Sequence, residues 1–253
     1  MGKLSRLDQI MDYLKGHNLV TVEELVNVTE SSPATVRRDL IKLDEQGVIS
    51  RSHGGVTLNR FIPTQPTTNE KIYKNLTEKQ LIADYAAQMI KAGDSIALDA
   101  GTTTLEIAKR ITQIPVRVIT SDLHIALFLC EFKQIEVTII GGKVDDSSQS
   151  CIGEHGRSLL RQINPDISFI SCNSWSFNKG VTTPTEEKAL IKASFAEKAN
   201  KVVLVADSSK YDSYSLFTSI SLSKFTDIIT DTRLDTESRI LLSNQAFKLH
   251  IAD

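Results

Sequence analysis

Three cysteines in 253 residues, Cys130, Cys151 and Cys172, are too few and too scattered for a disulfide framework, and none forms a Cys-x-x-Cys pair that would suggest zinc. Cys130 and Cys172 lie in or beside apolar runs and read as small buried hydrophobes. No P-loop or dinucleotide glycine fingerprint is present, and no cluster of metal-ligating side chains. Neither a metal nor a cofactor is expected. No apolar run reaches 18 residues and the first residues carry no signal-like stretch, so a cytoplasmic protein without a membrane span is expected. Charge of one sign is also lacking. The formal net charge is −2, which leaves any nucleic-acid contact to a local patch. Trp175 is the single tryptophan, and no internal repeat occurs. What is there is an ordinary mixture, 41% hydrophobic and 24% charged, enough for one large domain or a small plus a medium one.

Near the start, Leu7, Ile10, Met11 and Leu14 recur at i, i+3, i+4 and i+7, predicting an amphipathic helix over 4–15. Thr21-Val22-Glu23-Glu24 is a capping box that opens a short second helix. Ser32 suits the N-cap of a third helix and Pro33 its first position. Val36, Leu40 and Leu43 make its buried stripe and Gly47 ends it. Two short helices with a tight turn, the second carrying hydroxyls and basic residues near its start, predict a helix-turn-helix. Val48–Arg51 and Val56–Leu58 flank Ser52-His53-Gly54-Gly55, predicting a hairpin wing. The candidate DNA-contacting residues are Ser32, Thr35, Arg37, Arg38, Lys42, Arg51 and His53, because such groups reach phosphates and base edges. From 31 to 60 the balance is only +2, so the spacing carries more than the charge. A small helical domain with a solvated basic face is the bland alternative.

Residues 59–75 hold Pro63 and Pro66 and no apolar period, so a linker is expected between a domain at 1–58 and another at 76–253. Thr77-Glu78-Lys79-Gln80 reads as a second capping box, followed by a buried stripe of Ile82, Ala86, Met89 and Ile90. Strands at 96–98, 116–120, 135–140, 167–172, 202–206 and 227–230 then alternate with helices, including 122–131 and 154–163. Thr183-Pro184-Thr185-Glu186 opens a further helix, with Thr183 as N-cap. The fold class is therefore α/β, a mostly parallel, doubly wound sheet.

Such sheets bind ligands beyond the carboxyl ends of their strands. The candidates there are Asp99, Gly101, Thr102, Thr103 and Thr104 after the first strand, Ser121 after the second, and Gly141 and Gly142 after the third. Ser174 follows the fourth strand, Lys188 opens the next helix, and Lys210 follows the fifth strand. Gly101 permits a sharp turn, and threonines at a helix N-terminus offer hydroxyls and free N–H groups to an anion. Lysines add charge, while Asp99 and the serines suit sugar hydroxyls. Each loop alone reads equally as a polar strand end, and Thr102–Thr104 as a capped helix start without ligand. Trp175 reads as core or as a lid over a ligand. Glu187 and Lys188 also read as an exposed charge pair.

Residues 4–58 resemble the DeoR-type winged helix-turn-helix. The resemblance rests on Val20–Leu25, Ser32–Leu40, Leu43–Gly47 and Arg51–Val56. The remainder resembles the DeoR effector domain, which is similar in fold to ribose-5-phosphate isomerase. That resemblance rests on Leu98–Thr104, Val118–Ser121, Ile140–Gly142, Ala206–Lys210 and Ile228–Asp231. It implies a sequence-specific regulator, most often a repressor of a sugar-catabolic operon, acting on double-stranded operator DNA as a homodimer or homotetramer. It also implies that the Thr loop holds the phosphate of a sugar-like effector, with Lys210 facing it. The stretch from Ser171 to Lys188 resembles the YgbI-type branch, which implies a phosphorylated sugar acid. Two competing readings are a sugar-phosphate isomerase with an appended DNA-binding domain, using Asp99 or Glu187 as base, and a constitutive DNA binder. No short motif supplies a convincing acid/base pair, so catalysis is not expected.

Overall fold

A computed structural model describes residues 5–17, 19–46, 48–52 and 55–253. The chain divides into two compact units, Met1–Ile62 and Pro63–Asp253.

The first unit runs α1 (Arg6–Lys15), α2 (Val22–Thr29), α3 (Pro33–Glu45), β1 (Ile49–Ser52) and β2 (Gly55–Leu58). Local sequence sets its helix starts. The Thr21 N–H donates to Glu24 Oε2 at 2.7 Å, and the Glu24 N–H donates back to Thr21 Oγ1 at 3.2 Å. Ser32 caps α3 by accepting from the Thr35 N–H at 3.2 Å, with Pro33 at the first helical position. Ile10, Leu14, Leu25, Val36, Leu40 and Val56 bury their side chains in one core. Asp39 is buried beside the polar face of α3 and takes an ion pair from Arg6 of α1 at 2.5 Å. β1 and β2 pair antiparallel, Ile49 opposite Leu58, and Val20 bridges to Val56. The expectations placed on Gly47, His53 and Gly54 lie outside the described residues.

The second unit begins with α4 (Thr68–Ile72) and α5 (Leu76–Ala87), then β3 (Ser95–Leu98), α6 (Thr102–Arg110), β4 (Val116–Thr120), α7 (Leu123–Leu129) and β5 (Ile135–Ile139). A hairpin of β6 (Lys143–Asp145) and β7 (Ser150–Ile152) leads to α8 (Glu154–Leu160) and β8 (Ile167–Ile170). Next come β9 (Ser174–Ser176), β10 (Gly180–Thr183), α9 (Glu186–Glu197), β11 (Lys201–Val205), β12 (Phe217–Ile220), β13 (Asp227–Asp231), α10 (Thr236–Ser243) and β14 (Lys248–Ala252). Seven strands form one wholly parallel sheet in the order β14-β13-β11-β8-β3-β4-β5. Its five inner strands are largely buried on both faces, as parallel sheets require, while the edge strands β5 and β14 are partly exposed. Ala97, Ile170, Leu204 and Ile228 enter one core, while Ile96, Leu98, Phe169, Val203 and Ile229 enter the other. A three-stranded antiparallel sheet, β12-β10-β9, adds to the first core.

Several local expectations yield to tertiary pairing. Thr183 ends β10 opposite Phe217 of β12, so it caps nothing, and α9 starts only at Glu186. Asn75, in a left-handed conformation with φ 52°, precedes α5, and the Thr77 box does not form because the helix has already begun. The segment expected to be a linker contains α4, capped by Thr67 and Glu70. Trp175 is fully buried edge-on to Tyr211 and belongs to the core. Cys130 is exposed just beyond α7, against the expectation of a buried hydrophobe.

Candidate functional site

The chain leaves β3 towards β4 on one side and returns through β8 on the other. The carboxyl ends of β3 and β8 therefore face a point where strand order reverses, the usual ligand position in such sheets. A cleft opens there. Its floor is Asp99–Thr103 after β3, Ser121 after β4 and Ser171–Asn173 after β8. Its walls are Ser148, Ser150 and Ile152 of the β6–β7 hairpin, Lys188, Ile191 and Lys192 of α9, Lys210 after β11, and Gln65 and Lys71 from the start of the unit.

Gly101 lets the two floor loops meet. A Cβ there would stand 2.9 Å from Ser171 Cβ and closer still to its Oγ. The Ser171 hydroxyl donates to the Ala100 carbonyl at 2.7 Å, and the Gly101 N–H donates to Asp122 Oδ2 at 3.1 Å. α6 begins immediately after this glycine, so its first N–H groups point into the floor without intrahelical partners. The Thr103 Oγ1 and Ser121 Oγ atoms are buried and accept or donate no hydrogen bond among the described residues.

Four lysines supply the charge. Lys192 donates to the buried Asp99 carboxylate and, at 2.8 Å, to the Ser171 carbonyl. Lys188, also buried, pairs with Asp145 at 2.8 Å and donates to Ser148 Oγ. Lys210 stands 3.4 Å from Asp207. Lys71 has no carboxylate partner among the described residues. Burial, then repulsion from Lys210, Lys188 and Lys192, lowers its pKa to about 7. Burial lowers Lys188 as well, against the pull of Asp145. Burial would raise Asp145, yet hydrogen bonds from Lys188, Ser148 and Ser147 outweigh it and hold the carboxyl well below its usual range. Burial pushes the Cys172 thiol up to about 12, so this cleft cysteine is no nucleophile.

Of the expected effector residues, Asp99, Gly101, Thr102, Thr103, Ser121, Lys188 and Lys210 line this cleft together. Four do not. Thr104 turns its hydroxyl back onto the Asp99 and Gly101 carbonyls at 2.7 and 2.8 Å. Gly141 and Gly142 shape the approach to β6; a Cβ on Gly142 would meet the Ile152 carbonyl oxygen at 2.5 Å. Ser174 lies in β9, its hydroxyl 2.8 Å from Thr182 Oγ1 and 3.1 Å from Ser215 Oγ. Asp99 is present, but its Oδ2 is occupied by Lys192 and the Ser171 N–H, so it orients a lysine in addition to lining the cleft. Lys188 is not half of an exposed charge pair: it points inward while Glu187 stays exposed and outside the lining. The sequence reading missed Lys71, Lys192, Ser148, Ser150 and Ser171. Lys192 follows Lys188 at i, i+4, a helical spacing that signals a shared face. Nothing local marks the others.

In the first unit, Thr35, Arg38 and Lys42 share one face of α3, and Arg37 lies on the adjoining one. Arg37, Arg38, Lys42 and Arg51 are exposed. Ser32 and Thr35 are tied to each other, their hydroxyls 2.9 Å apart at the cap. Among the described residues no three His, Cys, Asp or Glu side chains gather around a metal position, and no helix is long and apolar enough to cross a membrane.

Residues 6–60 match the DeoR-like helix-turn-helix domain and residues 74–232 match the DeoR C-terminal sensor domain. The HTH-type transcriptional regulator YgbI of Escherichia coli K12 is 34% identical, over 100% of this chain and 99% of its own. The HTH-type transcriptional repressor GlcR of Bacillus subtilis 168 is 33% identical, over 98% and 92%. A solved structure of ribose 5-phosphate isomerase A from Methanocaldococcus jannaschii aligns with a TM-score of 0.41 at 16% identity, over 55% of each chain. The helix-turn-helix and sensor matches together span most of the sequence, and the chain belongs to the DeoR family of DNA-binding transcriptional regulators.

Proposed function

We propose that the protein represses a sugar or sugar-acid catabolic operon and releases its operator when a phosphorylated effector enters the cleft beyond β3 and β8. The observation that carries this reading is the pair of buried hydroxyls, Thr103 Oγ1 and Ser121 Oγ, left without partners in a cleft walled by four lysines. A buried polar group without a partner costs about 1–3 kcal/mol, and phosphate oxygens would relieve it. The free N–H groups at the start of α6 favour the same anion. The serines and Asn173 around the rim suit the hydroxyls of a sugar chain. Repression is the sign suggested by the relative GlcR, named as a repressor.

On the DNA side, Arg37, Arg38, Lys42 and Arg51 contact the operator, α3 lying in the major groove and the wing on the backbone. A two-fold operator needs two such helices, so the working form is at least a homodimer in the cytoplasm. The test is binding of the purified protein to DNA upstream of its own and neighbouring genes, titrated with salt and with sugar and sugar-acid phosphates. Tight, salt-dependent binding that one ester releases is the expected result. A complex that no phosphate ester affects overturns the effector half of the proposal.

A further inference from the structure

Two of the cleft's residues, Gln65 and Lys71, come from the stretch that immediately follows the boundary between the units at Ile62 and Pro63. That stretch is tied at both ends to loops that also form the cleft. At the start of α4, the Thr68 N–H donates to the Ser147 carbonyl at 2.9 Å and its hydroxyl to the Ser148 carbonyl at 3.1 Å. Ser148 is itself in the cleft and receives Lys188. Beyond α4, the Asn75 amide donates to Asp207 Oδ1 at 2.9 Å and to Ser209 Oγ at 3.0 Å, in the loop that carries Lys210. Buried Lys79 of α5 donates to the Lys71 carbonyl at 2.5 Å. Lys71 is also the one cleft lysine without a carboxylate partner among the described residues.

We infer that residues 65–75 are the transmission element of the sensor, and that Lys71 is the cation through which an anion in the cleft acts on it. The inference rests on reading the cleft as an anion site. Lys188, Lys192 and Lys210 are matched by Asp145, Asp99 and Asp207, whereas Lys71, with exposed Glu70 beside it on α4, forms no ion pair among the described residues and faces the positive charge of those three lysines and of Lys79. Burial first, and this repulsion second, make its ammonium lose its proton readily. An anion reverses the local field, so Lys71 takes up a proton and closes on the new charge. Because Lys71 is on α4, that closure stiffens the chain leading to the DNA-binding unit. The other three lysines lie on α9 or after β11; Lys188 and Lys210 reach this segment only indirectly, through Ser148 and through Asp207. An anion then shifts the regulator only through what it does differently to the two arrangements of this segment.

The test uses the full-length protein with inorganic phosphate and with sulfate, which does not titrate near neutrality. Amide hydrogen exchange is followed with and without each anion in wild type, Lys71→Met and Lys71→Arg. In wild type, saturating anion is expected to slow exchange both at 102–104 and across 68–75. In Lys71→Met, binding weakens about tenfold, the loss of one charge-assisted contact. At saturation that variant protects 102–104 but not 68–75, and Lys71→Arg restores both. Calorimetry with sulfate at pH 7.5, in two buffers of different ionisation enthalpy, is expected to show proton uptake in wild type and less in both variants. Equal protection of 68–75 in wild type and Lys71→Met overturns the inference while leaving the anion site intact. No protection at 102–104 with either anion in wild type overturns the anion site and the inference together.

Discussion

Thr103 and Asp99 sit four residues apart and lie in the same cleft, yet their side chains answer to opposite demands. Thr103 keeps a buried hydroxyl without a hydrogen-bond partner among the described residues. Replacing it with the isosteric valine removes an unmet polar group. Thr103→Val is therefore expected to be as stable as wild type, or more stable by up to about 1 kcal/mol, in urea unfolding. Its phosphate affinity is expected to fall about tenfold by calorimetry. Asp99 Oδ2, by contrast, accepts from the Ser171 N–H at 3.2 Å and from Lys192. Asp99→Ala strands a half-buried ammonium and is expected to cost about 3 kcal/mol in the same unfolding experiment. A loss below 1 kcal/mol would mean that Lys192 finds water instead. The sequence alone could place both residues after a strand, but it could not separate their roles. Only the approach of α9, 93 residues further on, gives Asp99 its lysine.

At the scale of elements, caps divide into those the chain decides locally and those it does not. Thr21–Glu24 and Ser32–Pro33 form as their spacing predicts, because the flanking turns are free to adopt extended backbone at the cap. Thr183-Pro184-Thr185-Glu186 has the same signature and fails, because β10 claims Thr182 and Thr183 for pairing with β12. Sheet partners 34 or more residues away outbid a cap that is worth about 1 kcal/mol. The proposed operator contact rests on the α3 helix. Ser32→Ala is expected to lower the stability of the first unit by about 1 kcal/mol, read as a shift in its melting transition. Arg38→Ala is expected to leave that transition unchanged, weaken operator binding, and reduce the slope of log affinity against log salt by about 1 if it contacts a phosphate. An unaltered affinity would remove Arg38 from the interface.

For the whole molecule, the buried charges around the cleft predict how stability follows pH. Asp145 and Asp207 are held below the ordinary carboxylate value of 3.8, against burial, by Lys188 and the nearby serines in one case and by Lys210, Ser209 and Asn75 in the other. Their contribution is present above that value and is lost as pH falls through it and below. Lys71 and Lys79 are lowered from 10.5 to about 7 and about 8, chiefly by burial. Between those values and 10.5 the unfolded chain binds more protons than the folded one, so these two lysines make stability rise with pH across that window. Thermal melts of the free protein from pH 7 to 10 are expected to show that gain, and Lys71→Met to reduce it. A flat profile in wild type would show that Lys71 and Lys79 are hydrated.

By itself the sequence determined the winged helix-turn-helix, the βαβ alternation and the strand ends that carry Asp99, Gly101, Thr103 and Ser121. These features are set by apolar periodicity and turn chemistry over a few residues, so they can be read without knowing what lies opposite. Long-range packing makes β3 and β8 neighbours, puts Ser174 and Trp175 in a second sheet, and lets a helix in the stretch expected to be a linker bring Lys71 to the cleft. Those outcomes depend on which distant segments exclude water together. Burial and charge pairing act through space, and no local pattern of residues encodes them.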